Sequence, residues 1–117
     1  MADNVIYIFR GDNKTARLTV YQSDGETVYP LTLCTVTLYI KRRASDSNDE
    51  AIITKTGTIT FALLGKVEFY FLPADTTDHD ELKDDKPYFY NVRVRNDNYS
   101  PVKYYTAVKS RFVIFQP

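Results

Sequence analysis

Apolar and polar residues alternate with a period of two through most of this chain, in short stretches divided by turn residues, and that period puts one set of side chains on one face of a strand. The clearest stretch is Thr35 to Arg43, where Val36, Leu38 and Ile40 alternate with Thr37, Tyr39 and Lys41. Thr15 to Gln22 sets Ala16, Leu18 and Val20 against Arg17, Thr19 and Tyr21, and Tyr88 to Arg95 sets Tyr90, Val92 and Val94 against Phe89, Asn91, Arg93 and Arg95. In Lys66 to Leu72 the residues Val67, Phe69 and Phe71 face one way. Val5 to Arg10, Ile52 to Lys55 and Thr58 to Leu63 read as shorter strands, and Tyr104 to Phe115 as a long last one. Gly11-Asp12-Asn13, Ser23 to Glu26, Gly57, Gly65 and Asn96 to Pro101 supply the turns, while Pro30 and Pro73 end the stretches before them. Ala44 to Glu50, small, polar and acidic, reads as an exposed loop. One short helix is predicted near residues 76–82, capped by Thr77, with Asp78, Asp80 and Glu81 against the helix dipole and Leu82 anchored in the core.

Seven or eight short strands in 117 residues predict an all-β fold: one domain, residues 1–117, built as an antiparallel immunoglobulin-like β-sandwich. An eight-stranded barrel is the competing closure. Ten Tyr and seven Phe fit a pleated surface, but no Trp and a single Cys rule out the Cys, Trp, Cys set of antibody domains.

Composition removes several functions. Lys and Arg together number 15, as do Asp and Glu, so the chain lacks the basic excess of a nucleic-acid binder. No apolar stretch has the length of a signal peptide or of a membrane span, so the expectation is a protein made in a cytosol, without membrane or nucleic-acid partners. Cys34 leads into a strand and is expected to be a buried, inert thiol. His79 is the only imidazole, and the acids beside it in sequence point in other directions on a helix, so a solvated helix face is expected rather than a general base. Asp75, Asp78 and Asp80 lack the glycine and closing glutamate of a calcium loop. No catalytic residues, metal or cofactor are assigned, and the protein is expected not to be an enzyme.

Charge placement is more informative. If the core-facing residues are those above, Tyr39, Lys41, Phe89, Arg93, Arg95, Lys109 and Arg111 face outward on three strands, which an immunoglobulin-like sandwich gathers into one sheet. The acids gather instead in residues 46–50 and 75–85. Such a face either keeps the sheet soluble or docks a partner, since Tyr, Phe and Arg are enriched at interfaces.

Ile53-Thr-Lys-Thr-Gly57-Thr-Ile-Thr60, Gly65-Lys-Val-Glu-Phe69 and Leu72-Pro-Ala-Asp-Thr76 together resemble the immunoglobulin-like N-terminal modules of bacteriophage baseplate upper proteins and related tail and virion proteins. Arg10-Gly11-Asp12 leading into Ala16 to Val20 is similar to that family's opening hairpin, Leu31 with Thr35 to Lys41 to its central strand, and Tyr88 to Val92 to the strand after its short helix. Asp84-Asp85-Lys86-Pro87 stands where the family places a glycine. The resemblance implies a multi-copy or homo-oligomeric structural protein of a phage particle, in tail, baseplate, connector or capsid decoration, made in the bacterial host cytoplasm and docking on other virion proteins. The alternative is a carbohydrate- or receptor-binding module of an adhesion device, for which Tyr29, Tyr99, Tyr104 and Tyr105 are the aromatic candidates.

Overall fold

The computed structural model of the protein describes residues 5–79, 81–84 and 86–116. In chain order its strands are β1 (Ile6–Phe9), β2 (Lys14–Thr19), β3 (Cys34–Lys41), β4 (Ile53–Thr56), β5 (Thr58–Phe61), β6 (Lys66–Phe71), β7 (Pro87–Asn96) and β8 (Lys103–Phe115). They form a five-stranded sheet in the order β1-β8-β7-β3-β4 and a three-stranded sheet in the order β2-β6-β5. Two separate sheets make this a β-sandwich and not a barrel. The predicted strands all form, with ends displaced by one to a few residues.

Alternation could not name the partners of the first two strands. β1 pairs in parallel with β8, Ile6 opposite Phe112 and Phe9 opposite Phe115, whereas β2 pairs with β6 in the other sheet. The opening hairpin expected from the resemblance is therefore absent, and the sandwich is antiparallel except at this one edge. At Gly11, with φ of 83°, the chain crosses from one sheet to the other. Either arrangement buries the same faces of the two strands, which is why the sequence pattern did not separate them.

The helix also lies earlier than expected, at α1 (Pro73–Thr77) rather than near 76–82. Pro73 suits a first helical position because its φ is fixed there and its missing N–H would have had no partner. The Asp75 carboxylate accepts the Leu72 N–H at 2.7 Å, so Asp75 caps the helix and Thr77, its last residue, does not. Asp78 closes the helix, Glu81 and Leu82 follow it, and Asp80 and Asp85 lie outside the described residues. Leu82 is buried in the core as expected.

Between the sheets, Ile6 and Ile8, Val36, Leu38 and Ile40, and Tyr88, Tyr90, Val92 and Val94 face Ala16, Val67, Phe69 and Phe71. Phe71 meets Phe112 across the interface with ring centroids 5.5 Å apart. Each such side chain contributes about 1.5–3 kcal/mol by leaving water, so this layer supplies most of the fold's stability. Gly57, joining β4 to β5, leaves no room for a side chain: a Cβ there would lie 2.5 Å from Val67 and 2.9 Å from Phe69.

The segment from α1 to β7 is held by polar contacts that exploit its free backbone groups. The Tyr88 ring is buried at the start of β7, its hydroxyl donates to the Glu81 carbonyl at 2.6 Å, and the Lys83 N–H donates to it at 2.7 Å. A tyrosine at this corner tying back to the preceding backbone is a recurring device of immunoglobulin-like sandwiches. The Arg10 guanidinium reaches the same segment, donating to the Thr76 carbonyl, to the Leu82 carbonyl at 2.8 Å and to Asp84 at 2.7 Å. Tyr88→Phe keeps the ring in the core and strands two partly buried backbone groups, so we expect a loss of about 1–3 kcal/mol in urea denaturation with an unchanged slope. A loss below 0.3 kcal/mol, on the order of the measurement's own scatter, would mean that water replaces the hydroxyl without cost.

Candidate functional site

All seven residues expected on the outer face of the larger sheet are there, because the registers of β3, β7 and β8 align them. Tyr39 stands opposite Asn91, Lys41 opposite Phe89, Phe89 opposite Arg111 and Asn91 opposite Lys109. Arg95, Lys109 and Arg111 are exposed, while Tyr39, Phe89 and Arg93 are half-buried.

Lys41 departs from the expectation of an exposed cation. It is 7% exposed, beneath residues 44–48, and its ammonium donates to the Asp46 carbonyl at 2.9 Å. Burial, and then the charge of Lys109, lower its pKa from the ordinary value, with Asp46 and Glu50 pulling the other way. The loop itself is more structured than expected: residues 48–50 form a single 3-10 turn, and the Glu50 carboxylate accepts the Ser47 N–H at 3.0 Å. Asp46 and Asn48 are half-buried.

A bulge in β8 adds a residue that strict alternation misses. Val92 pairs with Val108 but Arg93 pairs with Thr106, so Ala107 is the extra residue and the parity of β8 reverses there. Tyr104 thereby joins Arg93 on the outer face, with the guanidinium 4.0 Å from the ring centroid. Tyr105 turns the other way, stacks on Tyr29 at 5.1 Å and donates its hydroxyl to the Tyr21 carbonyl. An extra residue in one strand has no signature in the pattern of this sequence.

The same face continues to β1, where Tyr7 and Phe9 are 51% and 52% exposed and both rings lie against Phe115. Sequence reading placed Val5 to Arg10 in a strand but not beside this surface, since the parallel pairing with β8 decides it. Between residues 44–48 and β8 the surface sinks into an open groove of about 520 Å³. Its walls include Lys41, Phe89, Arg93, Lys109 and Arg111, and Asn91, 8% exposed, lies at its floor. A cavity of this volume has the size of a ligand site.

The other candidates are placed elsewhere. Cys34 is half-buried rather than buried, because as the first residue of β3 it sits at the end of the sandwich with the core on one side only. Burial first and Asp97 second raise its pKa, so thiolate is scarce at neutral pH. His79 follows α1, is half-buried and is not on a solvated helix face. Asp75 pairs with Lys55 at 2.6 Å in addition to capping α1. Of the four tyrosines considered for sugars, Tyr29 and Tyr105 stack on each other, Tyr104 covers Arg93 and Tyr99 lies 4.0 Å from the Lys103 ammonium.

Compared with known proteins, the sequence matches no family model and no curated protein.

Lys41 offers a test of the crowding of positive charge in the groove. Its folded pKa lies below the unfolded value, so it weakens folding while both states are protonated, and this cost is relieved as pH rises through the folded pKa towards 10.5. Lys109→Gln removes the second cause of the shift and should move the Lys41 titration upward, followed by NMR of the lysine Cε atoms. An unmoved or lowered midpoint would show that the two ammonium groups do not feel each other.

Proposed function

We propose that this protein is a non-enzymatic structural component of a bacteriophage particle that docks on neighbouring virion proteins through the outer face of its five-stranded sheet. The observation that carries the docking reading is the make-up of that face. Phe89, Arg93 and Arg111 line the groove, and the exposed rings of Tyr7 and Phe9 stand on the same face at β1. Aromatic and Arg side chains are those that most often anchor protein interfaces, and a sheet face presents them on a rigid support. The virion assignment rests on the order of sequence pieces that resemble phage baseplate modules. The sandwich architecture is compatible with it. In a particle the chain would act in many copies, where modest contacts add through multivalency, and it would be made in the host cytoplasm.

A carbohydrate-binding role is the second reading, and what favours it is the exposed pair Tyr7 and Phe9. Aromatic rings at a surface can stack on sugar rings, and a glycan array with Tyr7→Ala as control would reveal it.

The virion reading is tested by electron microscopy of purified particles with an antibody raised against this protein. Gold label at a fixed place on the particle is expected. The doubly reversed variant Lys109→Glu with Arg111→Glu should fold with a change of no more than about 0.5 kcal/mol per site, both residues being exposed, yet be depleted from particles at least about tenfold. Protein found only in the soluble fraction, with unlabelled particles, would refute the assignment.

A further inference from the structure

We propose that the groove between residues 44–48 and β8 receives an extended acidic segment of a partner protein, whose alternate carboxylates meet Arg111, Lys109 and Arg93 above Asn91. This inference rests on the docking reading and names what docks.

The charge balance of the groove comes first. Among the described residues its walls carry four cations, Lys41, Arg93, Lys109 and Arg111, and one acid, Asp46, and Arg111 has a partner of its own, so the accumulation rests on Lys41, Arg93 and Lys109. Asp46 is already engaged, its carbonyl by the Lys41 ammonium and its carboxylate by the Arg43 N–H at 3.3 Å. Lys109 has no acidic partner among the described residues. Lys41 is too buried to be screened by salt as a surface charge is, so its field adds to that of its neighbours. An anion entering the groove would relieve this accumulation; of the causes that lower the Lys41 pKa, burial comes first and the charge of Lys109 second.

The spacing of the cations then selects the kind of anion. Lys109 and Arg111 are two residues apart on one face of β8, which is about 7 Å along a strand. Arg93 stands on β7 opposite Thr106, beyond the bulge, so the backbone positions of the three cations step along the sheet. A single phosphate is shorter than such a row of backbone positions. An extended chain presents every second side chain to the same side with the same repeat of about 7 Å, so acids at alternate positions match the row. Phe89 and the Asn91 carboxamide line the space between, as a wall for an aliphatic stem and a donor for a carboxylate or a backbone carbonyl.

The test uses the whole protein and two fluorescein-labelled peptides of identical composition, one alternating Thr and Glu over nine residues and one with its glutamates in a single block at one end. Fluorescence anisotropy at about 50 mM salt should give at least tenfold tighter binding of the alternating peptide, with severalfold weakening at about 200 mM, as expected for charged contacts near a surface. Lys109→Gln should weaken the alternating peptide about tenfold, the loss of one charge-assisted contact, while Lys66→Gln, which removes an exposed cation from the other sheet, should not. Circular dichroism confirms that each variant is folded. Binding should also raise the Lys41 titration midpoint, a response that an interaction elsewhere on the surface does not produce.

Equal affinity for the two peptides would overturn the extended register, and displacement of the peptide by inorganic phosphate at millimolar concentration would make the groove a small-anion site. No binding of either peptide would overturn the inference outright. Labelled particles combined with no peptide binding remove the groove and leave the docking reading. Tight alternating-peptide binding combined with unlabelled particles removes the virion assignment and leaves the groove.

Discussion

The alternation of side chains along β7 is the constraint on which the other features depend. Burying Tyr88, Tyr90, Val92 and Val94 between the sheets forces Phe89, Asn91, Arg93 and Arg95 to the opposite face, and no shift of register can turn one set without turning the other. β7 is hydrogen-bonded to β3 on one side and β8 on the other, so its register carries over to both neighbours. Core and outer face are thus two readings of one strand. A substitution meant to change the surface of β7 leaves the core intact, whereas a slip of one residue would exchange the two.

The end of the sandwich that bears the groove is also where the polar clamps concentrate. Tyr88 fixes the chain entering β7, Arg10 ties the end of β1 to residues 76–84, and the Lys55–Asp75 pair joins β4 to α1. The Tyr88 and Arg10 contacts satisfy backbone groups of an irregular segment that neither sheet can pair, and an unmet group of that kind costs about as much as a hydrogen bond contributes. β7 and β8, which carry three of the groove's four cations, start or finish beside this clamped segment. Rigidity there keeps Arg111 and Phe89 in register, which a row of charges requires if it is to match a row of charges on a partner.

Neutral overall, the molecule is polarised locally. Among the described residues the ion pairs are exposed or partly so and add little to stability, as Arg17–Glu68 and Arg95–Asp97 illustrate. The groove differs because a lysine is covered by a loop whose carbonyl, rather than its carboxylate, takes the ammonium. A carbonyl satisfies the donor without cancelling the charge. The same hydrogen bond that holds the 44–48 loop against the sheet therefore leaves net positive charge at the groove wall.

The period-two pattern determined which residues form strands, which faces are apolar and which seven side chains share the outer face of one sheet. It could do so because burial of one face is a local property of each strand. Partner choice is not local, and the pairing of β1 with β8, the separation of β1 from β2 and the bulge at Ala107 were decided only by how the strands close around a common core. The helix shows the same division: Pro73 ends a strand in any reading, but that it also begins a helix depends on Asp75 reaching back to Leu72. For Lys41 alternation predicted the correct face and the wrong exposure. Alternation sets the direction of a side chain, whereas the loop that folds over it comes from residues 44–48, whose path depends on the backbone geometry of the assembled sheet.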